Sequence, residues 1–402
     1  MLPKGWTLTS LREVCSGNLQ TGPFGSQLHA HEYVPTGIPV LMPKDLIDCR
    51  ADLIGAAKIT QAKANSLGKH VLKVGDLLFS RRGDVSRFAL IDSDSEGALC
   101  GTGCLKARPN SQHSSKFLAY FIQKESVKKW LEQNAVGQTM PNMNTEILGE
   151  LPLIAASSKE EEEKIAQILS TWDKAITTTE QLLANSQQQK KALMQQLLTG
   201  KKRLLDNNGV RFGGEWKRVE LGDLLDYQQP TPYLVESTEY SDDFSTPVLT
   251  AGKTFILGYT DEESGIFSEK LPAIIFDDFT TDSKFVDFPF KAKSSAMKIL
   301  TAKKGVSIKY VYEAMQLLDF AVGGHQRHWI SIYSRLVIPF PATDEQQKIA
   351  AILSTADQEI TALQQKLDAL KQEKKALMQQ LLTGKRRVQL NDQNSKAITY
   401  GN

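Results

Sequence analysis

The sequence EEEEKIAQILSTWDKAI at residues 160–176 begins a stretch that ends with KKALMQQLLTGKKR at 190–203. A second stretch, from DEQQKIAAILSTADQEI at 344–360 to KKALMQQLLTGKRR at 374–387, repeats the first without a gap. Across the two stretches, 27 of 44 positions are identical. A repeat this long indicates that two parts of the chain do the same job.

Both copies are predicted to be long helices, because no Pro or Gly interrupts them before Gly200 and Gly384. At 1.5 Å per residue each helix would span roughly 60 Å. Apolar residues recur at alternating steps of three and four, which is the spacing of a coiled-coil seam. We expect the helices to pair through Leu169, Ile176, Leu183, Leu193 and Leu197 in the first copy and Leu353, Ile360, Leu363, Leu367, Leu370, Leu377 and Leu381 in the second.

Lys190 and Lys374 place a positive charge at the same inner position of this seam in both copies. A polar residue at such a position reduces stability and can fix the register of the paired helices. We therefore expect that replacing both lysines with Leu leaves the helices paired but permits slipped assemblies.

Composition narrows the classes of protein. The chain has 402 residues, 41% hydrophobic and 23% charged, which is typical of a globular protein with two or three domains. A net charge of +2 does not by itself indicate nucleic acid. The sequence has no apolar run long enough for a membrane span and no signal peptide, so we expect a cytoplasmic protein without membrane contact.

The cysteines are too few to form a disulfide framework in a chain of this size. Cys100 and Cys104, with His29 and His31 as distant partners, could form a metal site, but four tetrahedral ligands would have to converge. Buried free thiols are the favoured interpretation.

The repeat frames two globular segments of mixed strands and helices. The first segment begins with Trp6 and Leu11, and the second begins with Trp216 and Leu221 at the same spacing. Both tryptophans are interpreted as packing anchors. Helices are predicted at Ser115 to Asn134 and near Val306 to Asp319. The predicted organisation is a domain at 1–159, a helix at 160–203, a linker at 204–214, a domain at 215–343, a helix at 344–387 and a disordered tail at 388–402.

Each globular segment carries polar clusters suited to DNA. Arg and Lys bind phosphate and guanine, whereas Asn, Gln, Ser and Thr can pair with base edges. Any one cluster alone could be an ordinary exposed loop. The candidates are Ser80, Arg81, Arg82, Gln138, Asn142 and Asn144 in the first segment and Lys253, Thr254, Thr280, Lys284, Lys293, Ser294, His325, Gln326 and Arg327 in the second.

Motifs for catalysis are weak. Asp277, Asp278 and Lys284 imitate part of a nuclease site, but a solvated loop is the simpler interpretation because no further carboxylates support it. The AGKT sequence at 251–254 resembles the end of a phosphate-binding loop, yet Pro247 replaces its first Gly. We expect no catalytic activity and no cofactor on this chain.

The arrangement resembles the specificity subunits of type I restriction-modification systems. The similarity covers essentially the whole chain and rests on the two Trp openings, LPLI at 151–154, LVIPFP at 336–341 and the helix sequences KIAQILSTWD, KIAAILSTAD and KKALMQQLLTGK. It implies an α+β fold. Two globular, mixed α/β target recognition domains would be separated by two long antiparallel coiled-coil helices in a pseudo-twofold arrangement.

The resemblance also implies a function. Each target recognition domain would read one half of a bipartite, asymmetric sequence in double-stranded DNA, and the helices would set the gap. Two methyltransferase (modification) subunits would bring S-adenosylmethionine, and two motor/nuclease (restriction) subunits would bring ATP and Mg. The alternative from another class is a coiled-coil interaction scaffold with two adhesive heads that do not bind DNA.

Overall fold

The computed structural model describes residues 2–137, 140–252, 254–319, 329 and 332–390. The chain divides into two compact units. Unit 1 runs to Thr178 and resumes at Leu367, and unit 2 comprises Thr179–Lys366. Each repeat helix therefore contributes one of its ends to each unit. No helix in the described part of the chain is long and apolar enough to cross a membrane.

The strands of unit 1 are short and separated by turns. They are β1 (Thr7–Ser10), β2 (Leu19–Thr21), β3 (Tyr33–Val34), β4 (Ile38–Leu41), β5 (Leu46–Ile47), β6 (Arg50–Ala51), β7 (Ala57–Ile59), β8 (Leu77–Ser80), β9 (Phe88–Leu90), β10 (Leu99–Cys100), β11 (Cys104–Ala107) and β12 (Pro152–Ala155). Its helices are α1 (Leu11–Val14), α2 (Gln61–Ser66), α3 (Ser115–Ile122), α4 (Glu125–Asn134), α5 (Thr145–Gly149) and the first part of α6 (Lys159–Leu197). Unit 1 also contains the end of the second repeat helix, from Leu367 onward.

Unit 2 repeats much of this order with fewer elements described. Its strands are β13 (Lys217–Glu220), β14 (Leu225–Gln228), β15 (Thr246–Leu249), β16 (Ile256–Thr260), β17 (Ala273–Asp277), β18 (Ser283–Val286), β19 (Lys291–Ala292), β20 (Met297–Ala302) and β21 (Val337–Phe340). Its helices are the end of α6, from Thr179 onward, then α7 (Leu221–Leu224), α8 (Ile308–Met315) and the first part of α9 (Thr343–Leu381).

The sheets of the two units have matching topology. The order β2-β11-β8-β9 in unit 1 corresponds to β14-β20-β17-β18 in unit 2. In a second sheet, the parallel pair β4 and β10 corresponds to the parallel pair β15 and β19. The strand after each Trp opening pairs antiparallel with the strand before each long helix, β1 with β12 and β13 with β21. The two globular segments therefore share one scaffold.

The ends of the long helices belong to the cores of both units. In unit 1, Leu169 of α6 and Leu381 of α9 are buried in one cluster with Phe117 of α3. In unit 2, Leu197 of α6 and Leu353 of α9 are buried with Tyr310 of α8. Burying such apolar side chains contributes about 1.5–3 kcal/mol each, so the helix ends stabilise each unit.

A matched polar cluster, the tryptophan clamp, joins the helix ends to the head of unit 1. Trp6 is 5% exposed, and its indole N–H donates to Glu161 at 3.2 Å. The guanidinium of Arg387 donates to the same carboxylate at 2.6 Å. Gly384 follows α9 with φ of +70°, and a Cβ there would lie 3.0 Å from the Trp6 ring. The close approach of the indole therefore requires Gly.

Unit 2 has the same clamp. Trp216 donates to Glu345 at 3.1 Å, and Arg203 donates to it at 2.7 Å. Gly200, with φ of +73°, lies against the Trp216 ring. The sequence repeat aligns Glu161 with Glu345, and it aligns Arg203 with Arg387. The interpretation of both tryptophans as packing anchors is confirmed, because Trp6 belongs to the unit 1 core and Trp216 packs against that of unit 2.

The seam lysines form ion pairs that show how the helices run. In unit 1, Lys374 of α9 lies 2.5 Å from Asp173 of α6, and the hydroxyl of Tyr120 in α3 donates to the same carboxylate at 2.5 Å. In unit 2, Lys190 of α6 lies 2.6 Å from Asp357 of α9. Residues later in one helix thus pair with residues earlier in the other, so α6 and α9 are antiparallel within each unit.

The polar seam cluster of unit 2 is larger than that of unit 1. Glu313 of α8 is fully buried and lies 3.1 Å from Lys190. Lys309, one turn earlier in α8, lies 2.8 Å from both Glu313 and Asp357. Two lysines and two carboxylates balance in charge there, whereas unit 1 uses one lysine, one aspartate and a tyrosine.

The predicted helix from Ser115 to Asn134 is wrong as a single element. The chain breaks between α3 and α4, where Lys124 is extended, with φ of −63° and ψ of 138°. The apolar stripe of Phe117 and Phe121 would continue at Glu125 in an unbroken helix, yet the buried residues of α4 are Val127 and Leu131. The break allows both apolar faces to be buried.

The bounds of the second head helix also differ from the prediction. The second head helix begins at Ile308, after its N-cap Ser307, and is shorter than predicted at both ends. The predicted linker at 204–214 forms a hydrogen-bonded turn, in which the Phe212 N–H donates to the Leu204 carbonyl at 3.0 Å. In the predicted tail, Val388 packs against the unit 1 core, and residues 391–402 lie outside the described residues.

Candidate nucleic-acid interface

The first candidate cluster lies in the turn between β8 and β9. Ser80 is 1% exposed, and its hydroxyl donates to the Arg82 carbonyl at 2.9 Å. Ser80 therefore shapes the turn rather than presenting its own hydroxyl to a ligand. Arg81 is half-buried and Arg82 is exposed, so the turn presents the two arginines.

The second candidate cluster, after α4, meets this turn. The Gly83 N–H donates to the Pro141 carbonyl at 3.1 Å, and Arg82 and Asn142 form a β-bridge. The Arg81 Nε and the Asn142 Oδ1 are buried and have no hydrogen-bond partner among the described residues. A donor and an acceptor without partners beside an exposed arginine are suited to a polar ligand such as a base edge.

The remaining candidates of unit 1 are placed differently. Asn144 is exposed, but its side chain accepts the Ile147 N–H at 2.8 Å as the N-cap of α5. That bond stabilises the helix start and occupies one of its side-chain groups. Gln138 lies outside the described residues.

The turn between β10 and β11 approaches the same edge of unit 1. The Arg81 N–H donates to the Gly103 carbonyl at 2.8 Å, which joins this turn to the arginine turn. A Cβ on Gly101 would lie 2.5 Å from the Leu41 carbonyl oxygen, so Gly permits the end of β4 to approach as well. We call this group of turns, at Gly101–Gly103, Arg81–Arg82 and Pro141–Asn142, the reading edge of unit 1.

The corresponding hairpin of unit 2 joins β17 to β18. Asp277 accepts the N–H groups of Phe279 at 2.8 Å and Thr280 at 3.2 Å, which closes the turn. Thr280 is exposed at its tip. Lys284 follows in β18, with its ammonium 3.4 Å from Asp282 and 40% of its side chain exposed. A surface pair of this kind is worth little, so Lys284 can exchange Asp282 for a phosphate.

The other candidates of unit 2 lie on loops that follow β15 and β19. Lys293 donates to the Tyr240 hydroxyl at 3.0 Å, and the Ser294 hydroxyl accepts the Ala296 N–H at 3.1 Å. Thr254 is exposed, and its carbonyl accepts the hydroxyl of Thr250 at 2.5 Å. Lys253, His325, Gln326 and Arg327 lie outside the described residues. We call the β15–β16, β17–β18 and β19–β20 turns the reading edge of unit 2.

Sequence reasoning missed a buried ion pair beneath this edge. Asp278, which opens the β17–β18 turn, and Lys298 of β20 are each 1% exposed, and their charged atoms lie 3.7 Å apart. The carboxylate of Asp278 accepts the backbone N–H of Trp329 at 2.9 Å. The only signal in the sequence was a lysine within the apolar run of β20, and its partner depends on strand register.

The alternative nuclease interpretation is not supported by these contacts. Asp277 accepts turn N–H groups, Asp278 contacts Trp329 and Lys298, and Lys284 pairs with Asp282, so each of the three groups has a structural partner of its own.

The alternative metal site does not form within the part of the chain that the structure describes, where no three His, Cys, Asp or Glu side chains form a possible metal group. Cys100 and Cys104 are buried in β10 and β11, as the thiol interpretation predicted. Burial raises the pKa of the Cys100 thiol to about 12.

The family model of the type I restriction modification DNA specificity domain matches residues 3–185 and 213–372. These residues are most of the chain, so the chain belongs to this family of DNA specificity domains. Membership of that family is contrary to the alternative of a scaffold that does not bind DNA.

Particular relatives are specificity subunits. That of the Escherichia coli type I restriction enzyme EcoR124I/EcoR124II is 50% identical over 174 residues, which are 42% of this chain and 41% of that protein. The putative MjaX specificity subunit of Methanocaldococcus jannaschii is 24% identical over 394 residues and 88% of each protein. The first alignment thus spans less than half of the E. coli protein.

A solved structure shows the same fold. The crystal structure of the type I restriction-modification S subunit from M. genitalium aligns over 94% of this chain and 96% of its own, with a TM-score of 0.66 and 16% sequence identity. The predicted fold class, mixed domains joined by long helices, is confirmed by this likeness and by the two matched regions.

Proposed function

We propose that this chain is the DNA sequence-recognition subunit of a type I restriction-modification enzyme, and that each head reads one half of a bipartite, asymmetric site. The proposed reading domains are residues 1–159 and 215–343. Residues 160–203 and 344–387 form the spacer between them, and 204–214 connects the two halves of the chain. The chain itself transfers no methyl group and cuts no DNA.

One observation carries this proposal: the same scaffold presents different polar side chains at the same place. The β8–β9 turn presents Arg81 and Arg82, whereas the corresponding β17–β18 turn presents Thr280 and is followed by Lys284. Arginine pairs bidentately with guanine, and threonine contacts other base edges or the thymine methyl group. Equal scaffolds with unlike reading groups are suited to two unlike half-sites.

Because the net charge of the chain is close to zero, we infer that its partner subunits supply part of the affinity for DNA. Affinity for DNA comes largely from phosphate contacts, and a chain with net charge +2 supplies few of them in sum. Two modification subunits with S-adenosylmethionine would add such contacts and methylate adenine. Two restriction subunits with ATP and Mg would complete the enzyme, and this chain would bind none of these cofactors.

The proposal is tested by expressing the chain with its modification subunit and mapping methylated adenines in the host genome. We expect a bipartite motif with a fixed gap. Changing Arg82→Ala should relax one half of the motif and leave the other intact, since a lost bidentate contact costs about 1–3 kcal/mol at one position.

The matched control is Arg218→Ala, which removes an exposed arginine of β13, a strand that pairs with β21 and not with the sheets that carry the reading edges. This variant should keep the wild-type motif. Methylation without a bipartite motif would contradict the proposed function, and equal relaxation of both halves by Arg82→Ala would contradict the assignment of one half-site to each head.

A further inference from the structure

Lys298 occupies an unusual position for a lysine. It lies in the centre of the unit 2 sheet, on β20 between β14 and β17, and is 1% exposed. It is opposite Phe276 of β17, whereas in unit 1 the residue opposite Phe79 of β8 is the apolar Leu105. The buried lysine of β11, Lys106, lies opposite Leu78 and donates to the Lys69 carbonyl at 2.7 Å. Burying an ammonium group costs several kcal/mol unless it is paired and hydrogen-bonded, so the contacts of Lys298 have to offset this cost.

These contacts converge from the roots of three loops. The Lys298 ammonium donates to the side chain of Gln229, just after β14, and to the carbonyl of Ser295, in the β19–β20 turn, both at 3.2 Å. It also lies 3.7 Å from the carboxylate of Asp278, at the start of the β17–β18 turn. One buried charge therefore joins the segment after β14 to the β17–β18 and β19–β20 turns of the reading edge of unit 2.

Asp278 extends the connection to a fourth segment. Its second carboxylate oxygen accepts the N–H of Trp329, which is itself 3% exposed and packs edge-to-face on Phe276. In unit 1 the same turn meets the segment after α4 through the Arg82–Asn142 bridge. In both units this hairpin thus contacts a residue that follows the head helices, Asn142 in unit 1 and Trp329 in unit 2. Among the described residues, only the contact in unit 2 is made by a buried carboxylate.

We propose that Lys298 and Asp278 are positioning residues that set the specificity of unit 2 for its half-site. They do not reach DNA themselves, because both are buried. They hold Thr280, Ser294 and Trp329 in a fixed relative position, and base readout tolerates little displacement of its groups. This inference rests on the proposed function and deepens it.

The test compares Lys298→Met with Lys291→Met in the complex with the modification subunit. Lys291 is also buried in unit 2, 2% exposed, and pairs with Glu262 at 2.6 Å, away from the β17–β18 turn. Both variants lose a buried ion pair, so both should lose stability. Only Lys298→Met should alter specificity.

The measured quantity is the ratio of kcat/KM for methylation of the correct site to that of sites with one mismatch. We expect Lys298→Met to lower this ratio about tenfold for mismatches in the half-site read by unit 2, within the usual cost of one mismatch. The ratio for the other half-site, identified through Arg82→Ala, should not change. Lys291→Met should change neither ratio.

A second variant keeps the inference testable if Lys298→Met does not fold. Lys298→Met combined with Asp278→Asn removes both charges and keeps an oxygen that can accept the Trp329 N–H. It should fold better than the single variant and still lack discrimination in that half-site. Wild-type discrimination in this variant, or equal effects of Lys298→Met and Lys291→Met, would overturn the inference. The proposed function itself would fail only if the wild-type complex methylated no bipartite site.

Discussion

Arg387, near the end of the described chain, stabilises the first head through one carboxylate. It donates two hydrogen bonds to Glu161, at 2.6 and 3.0 Å, and another to the Lys4 carbonyl at 3.1 Å. Burial raises the pKa of Glu161, but the bonds from Arg387 and Ser157 lower it more, so its pKa is below the ordinary 4.5. The folded protein therefore favours the ionised carboxylate.

We expect Arg387→Ala to destabilise unit 1 by about 2 kcal/mol at pH 7, the usual contribution of hydrogen bonds to a charged group. Because the pKa of Glu161 is lowered by folding, this contribution is complete above the unfolded pKa and is lost as pH falls below it. Calorimetry should show a lower melting temperature for the variant at pH 7 and a smaller difference near pH 4.

The neighbouring Arg386 offers a control, since it is exposed and carries the same charge. Arg386→Ala should change the melting temperature little at either pH. A loss of stability by Arg387→Ala that is the same at pH 7 and pH 4 would show that Glu161 is not the group through which Arg387 acts.

At the scale of elements, the seam lysines of the two units are expected to differ in importance. Without Lys190, the buried Glu313 and the neighbouring Asp357 would share a single lysine, Lys309. Without Lys374, Asp173 would keep the hydroxyl of Tyr120. An uncompensated buried charge typically costs 3–5 kcal/mol, so Lys190→Leu should destabilise its unit by about 3 kcal/mol and Lys374→Leu by less.

Charge balance provides the check on this expectation. Combining Lys190→Leu with Asp357→Leu leaves Glu313 paired with Lys309 and should recover most of the lost stability in thermal unfolding. If the double variant is no more stable than Lys190→Leu, the destabilisation comes from packing rather than from charge. The pair Lys190→Leu and Lys374→Leu should also permit slipped helix pairing, which disulfide crosslinking between α6 and α9 would detect.

The same elements show what sequence alone could predict. The long helices and the roles of Trp6 and Trp216 were predictable, because identity between two copies of one chain reports a shared structure without knowledge of tertiary contacts. The break after Ile122 follows from a change in the phase of the apolar stripe, which is visible in the sequence but competes with strong helix propensity. The ion pair of Asp278 and Lys298 was not predictable, because it depends on the register of β17 and β20.

At the scale of the whole molecule, the prediction concerns the gap between the half-sites. Each repeat helix has 39 residues, and each passes from one unit to the other, at Thr178 in α6 and at Lys366 in α9. If the helices are the spacer, lengthening both at these points should move the two heads apart without changing either reading edge.

Inserting seven helical residues, one heptad, into both helices at these points preserves the seam and adds about 10 Å. At 3.4 Å per base pair the gap in the methylated motif should grow by about three base pairs, with both half-sites unchanged. The control inserts the same residues between Asn207 and Asn208, in the exposed turn outside both helices, where the gap should stay as in the wild type. An altered half-site with an unaltered gap would show that these helices position the reading loops instead of separating the heads.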